Sequence, residues 1–135
     1  MSIQVGPHNL VSTRLILGAD GNGTLKEDGP NFYQELDTDF GDFSGHILFT
    51  EHGFDEPWPT WEVHPHGDEF VYLLEGDTDF ILRLDGVDKV VRMSRPGDYV
   101  MVPKGAWHTA RPHTATRMLF VTPGQGTLNE VSPPE

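Results

Sequence analysis

The sequence predicts an all-β fold, a small barrel or sandwich, and three observations carry that prediction. Short runs of β-branched, aromatic and aliphatic residues recur at close intervals from position 61 onward, each bounded by turn-forming residues. The chain holds 15 glycines and 11 prolines, which favours many turns over long helices. No window of a dozen residues sustains a 3.6-residue apolar period without a glycine, a proline or a β-rich interruption. A length of 135 residues fits one domain, and a chain of that size buries roughly two-thirds of its unfolded surface.

Near the start, Arg14-Leu15-Ile16-Leu17 reads as a strand, followed by the turn-rich stretch 18–23. Phe32-Tyr33-Gln34-Glu35-Leu36 reads as a second strand candidate. Asp37, Asp39 and Asp42 then form an acidic loop, read as solvated surface. Residues 46–50 read as a strand, and 51–60, with two prolines, as an irregular loop. Strands are expected at 61–64, 69–75, 78–84, 87–93, 99–102, 107–110 and 116–122. Asp85-Gly86 joins two of them and signals a hairpin, because both central residues of a type I′ turn need positive φ. The tail from Pro123 carries three prolines and two glycines and reads as loop or arm. The division is a single domain over 1–135, with strands or an arm at 1–45, its motif-bearing core at about 58–123 and a tail at 124–135.

Charge and composition exclude several function classes. Nine Lys and Arg against 21 Asp and Glu leave a net charge of −12. A binder of nucleic-acid phosphates needs a basic footprint, and anionic membrane surfaces need one too; neither partner is expected here. Cysteine is absent, so disulfides, a thiol nucleophile and thiolate metal sites are ruled out. No apolar run approaches the roughly 20 residues of a spanning helix. MSIQVGPHNL has neither a basic n-region nor an apolar h-region, so the expected location is cytoplasmic.

Two segments carry candidate chemistry. The first is Trp61-Glu62-Val63-His64-Pro65-His66-Gly67-Asp68-Glu69. Alternate residues of a strand share a face, so Glu62 and His64, and His66 if the strand continued, project one way while Trp61 and Val63 project the other. Pro65 and Gly67-Asp68 break the strand, and a hairpin return would bring Glu69 beside His64 on the partner strand. The second runs from Gly97 to His108, where a strand ends in Pro103-Lys104-Gly105 and His108 starts the next. Carboxylates and imidazoles together are good ligands for Zn²⁺, Fe²⁺, Mn²⁺ or Ni²⁺.

These segments resemble the two motifs of the cupin family, G-x5-H-x-H-x3-4-E-x6-G and G-x5-P-x-G-x2-H-x3-N. In the second, Gly97, Pro103, Gly105 and His108 fall at every spacing, and Pro112 stands where the family has Asn. In the first, counting back from Gly76 gives Glu69, then His64, with Glu62 where the family has its first histidine. His66 is out of register and falls in the turn. A subset of small cupins has a similar W-E-x-H-P-x-G-D-E stretch. The resemblance covers about 58–123 and implies a small cupin barrel, related to the double-stranded β-helix or jelly roll. It implies one divalent ion (Fe, Zn, Mn or Ni) held inside the barrel by Glu62, His64, Glu69 and His108, with Glu62 either a ligand or a catalytic base.

What the resemblance implies for function is a metal-dependent, oxygenase-type enzyme acting on a small-molecule substrate, a dioxygenase by type. The alternatives are a redox-neutral isomerase or lyase and a non-catalytic small-molecule or metal-binding module. A homodimer is expected, with the first 45 residues able to cover an edge as an exchanged strand. Trp58 is a candidate for closing a pocket mouth, and Trp107 should face opposite to His108. Lys104 is read as solvated, and Arg83 and Arg117 as surface residues unless one faces inward to receive a substrate carboxylate. His8, His46, His52 and His113 lack motif context and are read as structural or solvated.

Overall fold

Eleven strands and one short helix make up the described residues, 4–134, of the computed structural model. In chain order they are β1 (Thr13–Leu17), β2 (Gly23–Glu27), α1 (Phe32–Asp39), β3 (Ile47–Phe54), β4 (Trp61–Val63), β5 (Glu69–Glu75), β6 (Thr78–Leu84), β7 (Val87–Met93), β8 (Tyr99–Val102), β9 (Trp107–Pro112), β10 (Thr116–Thr122) and β11 (Leu128–Glu130). Two antiparallel sheets face each other. One has the order β2-β1-β3-β10-β5-β8, the other β11-β4-β9-β6-β7. Among the described residues, no helix is long and apolar enough to cross a membrane.

The period-2 pattern explains the layers. Along β5 and β10, alternate residues are buried, placing Val71, Leu73, Met118 and Phe120 inward. They meet Phe80, Leu82 and Ala110 from the facing sheet to form the main core. The β6–β7 hairpin turns at Asp85 and Gly86, with φ of 52° and 77°, as the sequence predicts. Gly76, at φ 107°, admits no side chain: a Cβ there would stand 2.5 Å from the Ala115 carbonyl oxygen.

Three expectations are corrected. Residues 32–36, read as a strand, begin the helix α1, because Phe32 and Leu36, four apart, stack on one face and are buried against Ile16, Phe43 and Leu48. Asp37 and Asp39 therefore lie on this helix and not in a loop. The strand expected at 46–50 starts at Ile47 and runs to Phe54, since β10 pairs with it along its whole length, from Thr122↔Leu48 to Thr116↔Phe54. The tail, read as loop or arm, supplies β11, which pairs with β4 through Leu128↔Val63 and Asn129↔Glu62. Smaller differences are that β4 ends at Val63 and that β9 runs on to Pro112.

The outer face of the six-stranded sheet carries an apolar row. By cross-strand register it runs Leu25, Leu15, Phe49, Val121, Phe70 and Met101, one residue from each strand. Each is partly or largely exposed.

Candidate metal centre

Glu62, His64, Glu69 and His108 arrive at one point from three elements and a loop. Glu62 on β4 and His108 on β9 are direct cross-strand partners. His64 lies one residue past the end of β4 and keeps the face of Glu62. Glu69 opens β5 in the opposite sheet. The hairpin expected within the first segment, between β4 and β5, is therefore absent. Residues 64–68 carry the chain across the barrel, and Glu69 faces His64 from the far sheet, because β5 takes β8 and β10 as its partners.

One ligand-type atom from each of the four lies within 4.8 Å of the others. His64 Nε2 is 3.2 Å from Glu62 Oε1 and 3.2 Å from Glu69 Oε2. His108 Nε2 is 3.4 Å from Glu62 Oε1 and 3.2 Å from Glu69 Oε1. Despite these distances, His64 Nε2, His108 Nε2 and Glu69 Oε1 are buried without a hydrogen bond. Buried polar atoms left unpaired are costly, and donors aimed at a shared point instead of at one another suit a cation at that point. The residues present thus fit a divalent ion, with two imidazole nitrogens and two carboxylates as its donors.

The far side of each group is fixed. The His64 Nδ1 is 2.8 Å from the Thr127 hydroxyl. The His108 Nδ1 donates to the Ala106 carbonyl at 3.0 Å, so in the neutral imidazole Nε2 is the nitrogen that carries the lone pair. The Thr122 hydroxyl donates to Glu69 Oε2 at 2.6 Å. Such partners orient ligand-type groups and tune them.

Without an ion the four groups neutralise one another. Burial pushes the Glu62 carboxyl up, but the imidazoles of His108 and His64 outweigh it and hold it at about 2. Burial pushes both imidazoles down, and the carboxylates of Glu62 and Glu69 outweigh that, raising His64 to about 9 and His108 to about 10. Glu69 is likewise lowered, against its burial, by His108 and His64.

Above the cluster opens a cavity of about 580 Å³. Its walls include Trp58, Phe54 and Phe120, the α1 residues Tyr33, Leu36 and Asp37, and Thr127 and Asn129 from the tail. Trp58 thus lines the cavity, packed edge-on to Phe54 at 5.5 Å and against Phe120 at 5.9 Å. Glu62, His64 and Glu69 also meet this space, and Glu62 is the most exposed of the four, its side chain at 29%.

His66 sits exposed in the turn outside the cluster. Arg117 pairs with Glu75 and Glu51, and Arg83 with Asp88 while lying over the Trp61 ring; neither lines the cavity. His8 and His46 bond to backbone carbonyls, and His113 pairs with Asp79. His52, read as structural or solvated, hydrogen-bonds to Tyr33, its Nε2 3.0 Å from the hydroxyl, and also lines the cavity.

Sequence reasoning missed Thr122, Thr127, Tyr33 and His52. Thr122 did leave a signal, since it continues the inward series Thr116, Met118 and Phe120 and is a polar residue at a core position. The others left none, because their neighbours come from distant parts of the chain.

Comparison with known proteins adds the following. A family model described as the cupin domain matches residues 50–123. An uncharacterized protein of Bacillus subtilis (strain 168), YdbB, is 34% identical over 61 residues, 45% of this chain. That match spans only half the length of the relative. Among solved structures, an oxalate oxidase is similar with a TM-score of 0.52 at 14% identity, covering 61% of this chain and 45% of that one. Oxalate decarboxylase from Bacillus subtilis is similar with a TM-score of 0.53 at 16% identity, covering 61% of this chain and 23% of that one. At these identities the likeness concerns the fold.

Proposed function

The chain belongs to the cupin domain family, and from that premise we propose that it is a metal-dependent enzyme of the oxygenase type acting on a small molecule. One observation carries the reading: four ligand-type atoms converge within 4.8 Å at a cavity of about 580 Å³, and three of the buried polar atoms there lack a hydrogen bond. His64, Glu69 and His108 would hold the ion, with Glu62 as a fourth ligand or as a base. A bound divalent ion of Fe, Zn, Mn or Ni supplies Lewis acidity toward a substrate oxygen and, when redox-active, a meeting point with O₂.

The chain's own groups have separate tasks. Thr127, Ala106 and Thr122 hold His64, His108 and Glu69 in orientation. Trp58, Phe54 and Phe120 exclude water from one wall. Glu62 meets the cavity with an ionised carboxylate that can accept a hydrogen bond from a bound hydroxyl, while a value of about 2 in the metal-free cluster makes it a weak base and favours its role as a ligand.

Protein purified without chelator is expected to carry up to one divalent ion per chain, lost on chelation. Oxygen consumption with diketones, catechols or flavonols should require Fe²⁺ or another redox-active metal and fall in Glu62→Ala. Turnover supported by Zn²⁺ would move the protein to the redox-neutral isomerases or lyases. Tight ligand binding without turnover would make it a binding module. A folded protein that takes up none of the four ions ends the metal reading.

A further inference from the structure

Resting on the reading that the cluster holds an ion, we infer that the ligand of this cavity is a ring-bearing phenol or enol with at most one negative charge. Its oxygen faces the cluster, its ring lies along the Trp58 wall, and its far polar group meets the Tyr33–His52 pair. A small dicarboxylate, the ligand class of the oxalate-acting structural neighbours, does not suit this cavity.

Size is the first argument. About 580 Å³ lies in the range of roughly 300–1,000 Å³ that takes a drug-sized ligand. A dicarboxylate of two carbons would leave most of that space unfilled and the aromatic wall without a partner.

Charge is the second. The described lining contains three carboxylates, Asp37, Glu62 and Glu69, and no lysine or arginine. Arg14, beneath α1, does not line the cavity: it pairs with Asp28 at 3.0 Å and lies over the Phe32 and Tyr33 rings, its Nε buried without a hydrogen bond. A two-carbon dicarboxylate can chelate one divalent ion through both carboxylates, but Glu62 and Glu69 already balance that ion's two charges, and the described lining holds no cation to balance the dianion.

Shape and polarity complete the case. Phe54, Trp58 and Phe120 present packed ring surface on one wall, which suits a flat apolar ring. On the same lining, α1 brings Tyr33 to His52 on β3, with Oη and Nε2 3.0 Å apart. Burial pushes the Tyr33 phenol up and the His52 imidazole down, so both are neutral at pH 7. If Tyr33 donates to His52, its oxygen accepts from a ligand hydroxyl. If His52 donates, the Tyr33 hydroxyl is free to donate to a ligand carbonyl. The pair therefore recognises a neutral hydroxyl or carbonyl and offers no charge to a carboxylate.

The test is calorimetric titration of Zn²⁺-loaded protein with quercetin and with oxalate, with metal content measured separately. Zn²⁺ keeps the readout free of redox turnover. Quercetin is expected to bind saturably and more tightly than oxalate. Tyr33→Phe and His52→Leu should each weaken it about fivefold or more, the effect of one lost hydrogen bond in a closed site, with metal content unchanged. His52→Gln, which keeps a hydrogen-bonding atom, should retain more affinity than His52→Leu. Tighter binding of oxalate, or quercetin affinity unchanged in both Tyr33→Phe and His52→Leu, overturns the inference. Failure to take up Zn²⁺ overturns the metal reading instead. In that event metal-free protein must still bind quercetin, with the same loss in Tyr33→Phe, for the ring and anchor assignment to stand; no binding overturns it.

Discussion

Two carboxylates and two imidazoles share one point in the barrel, and their charges can be balanced in two ways. At pH 7, below the values of about 9 for His64 and about 10 for His108, the metal-free cluster holds two imidazolium ions against two carboxylates. A divalent ion with two neutral imidazoles gives the same sum. Loading therefore exchanges two protons for one ion. About two protons should be released per Zn²⁺ at pH 7, read from the dependence of calorimetric enthalpy on buffer ionisation. Apparent affinity should rise with pH and level off above about 10. Release of no protons would refute these charge states. The same shifts set the stability of the stripped protein. Glu62 lies below its ordinary 4.5, so its contribution is present above that value and lost as pH falls through about 2. The imidazoles lie above their ordinary 6.5, so theirs is complete below 6.5 and lost as pH climbs through about 9 and 10. The melting temperature of stripped protein should therefore decline from about pH 6.5 to about pH 10 and level off beyond, while that of loaded protein holds. His64→Ala and His108→Ala should each remove most metal affinity, and His66→Ala little. Thr127→Val, which takes the hydroxyl from His64 Nδ1, should cost about 10–100-fold in metal affinity.

The helix α1 shows what a local pattern conveys and what it hides. It closes one side of the cavity with Tyr33, Leu36 and Asp37 and is held down by Phe32 and Leu36. Leu36→Ala should destabilise the protein by about 2–5 kcal/mol, measured by urea unfolding, and loosen this wall. A loss under about 0.5 kcal/mol would mean that α1 is not packed as described. Within FYQELDTD the adjacent aromatics Phe32 and Tyr33 imitate a strand, and two buried residues in eight leave the helical period hard to read. By contrast, β5, β6 and β7 were legible because turns bracket them, and the Asp85-Gly86 hairpin because its backbone demands those residues. The four cluster residues were legible through motif spacing, since strand alternation fixes which side chains share a face. Their sheet assignment was not, because a break at Pro65–Asp68 fits a hairpin and a crossing equally well. Tyr33 with His52, 19 residues apart, and His64 with Thr127, 63 apart, meet only through the assembled topology.

At the scale of the molecule, the apolar row on the outer six-stranded sheet bears on assembly. It crosses all six strands without a charged residue, in a chain whose net charge of −12 covers it with carboxylates elsewhere. Two such chains repel each other except through a face like this one. A second copy offering the same row would cover both, and a stable pair needs about 800 Å² from each partner. Light scattering at tens of micromolar should report twice the 15.1 kDa chain mass, and Phe49→Lys with Val121→Lys should return it to a monomer. A monomeric mass for the unaltered chain would refute the dimer. The balanced cluster has a consequence at this scale too. Domains that are assembled around their ion cannot fold ahead of it. This barrel has its buried charges compensated by protons beforehand, so it can be completed first and filled afterwards. The ion it carries is then decided by the supply that the finished molecule meets, weighted by the intrinsic order of the metals. Cells raised on different metal diets should yield the same folded protein with different occupants.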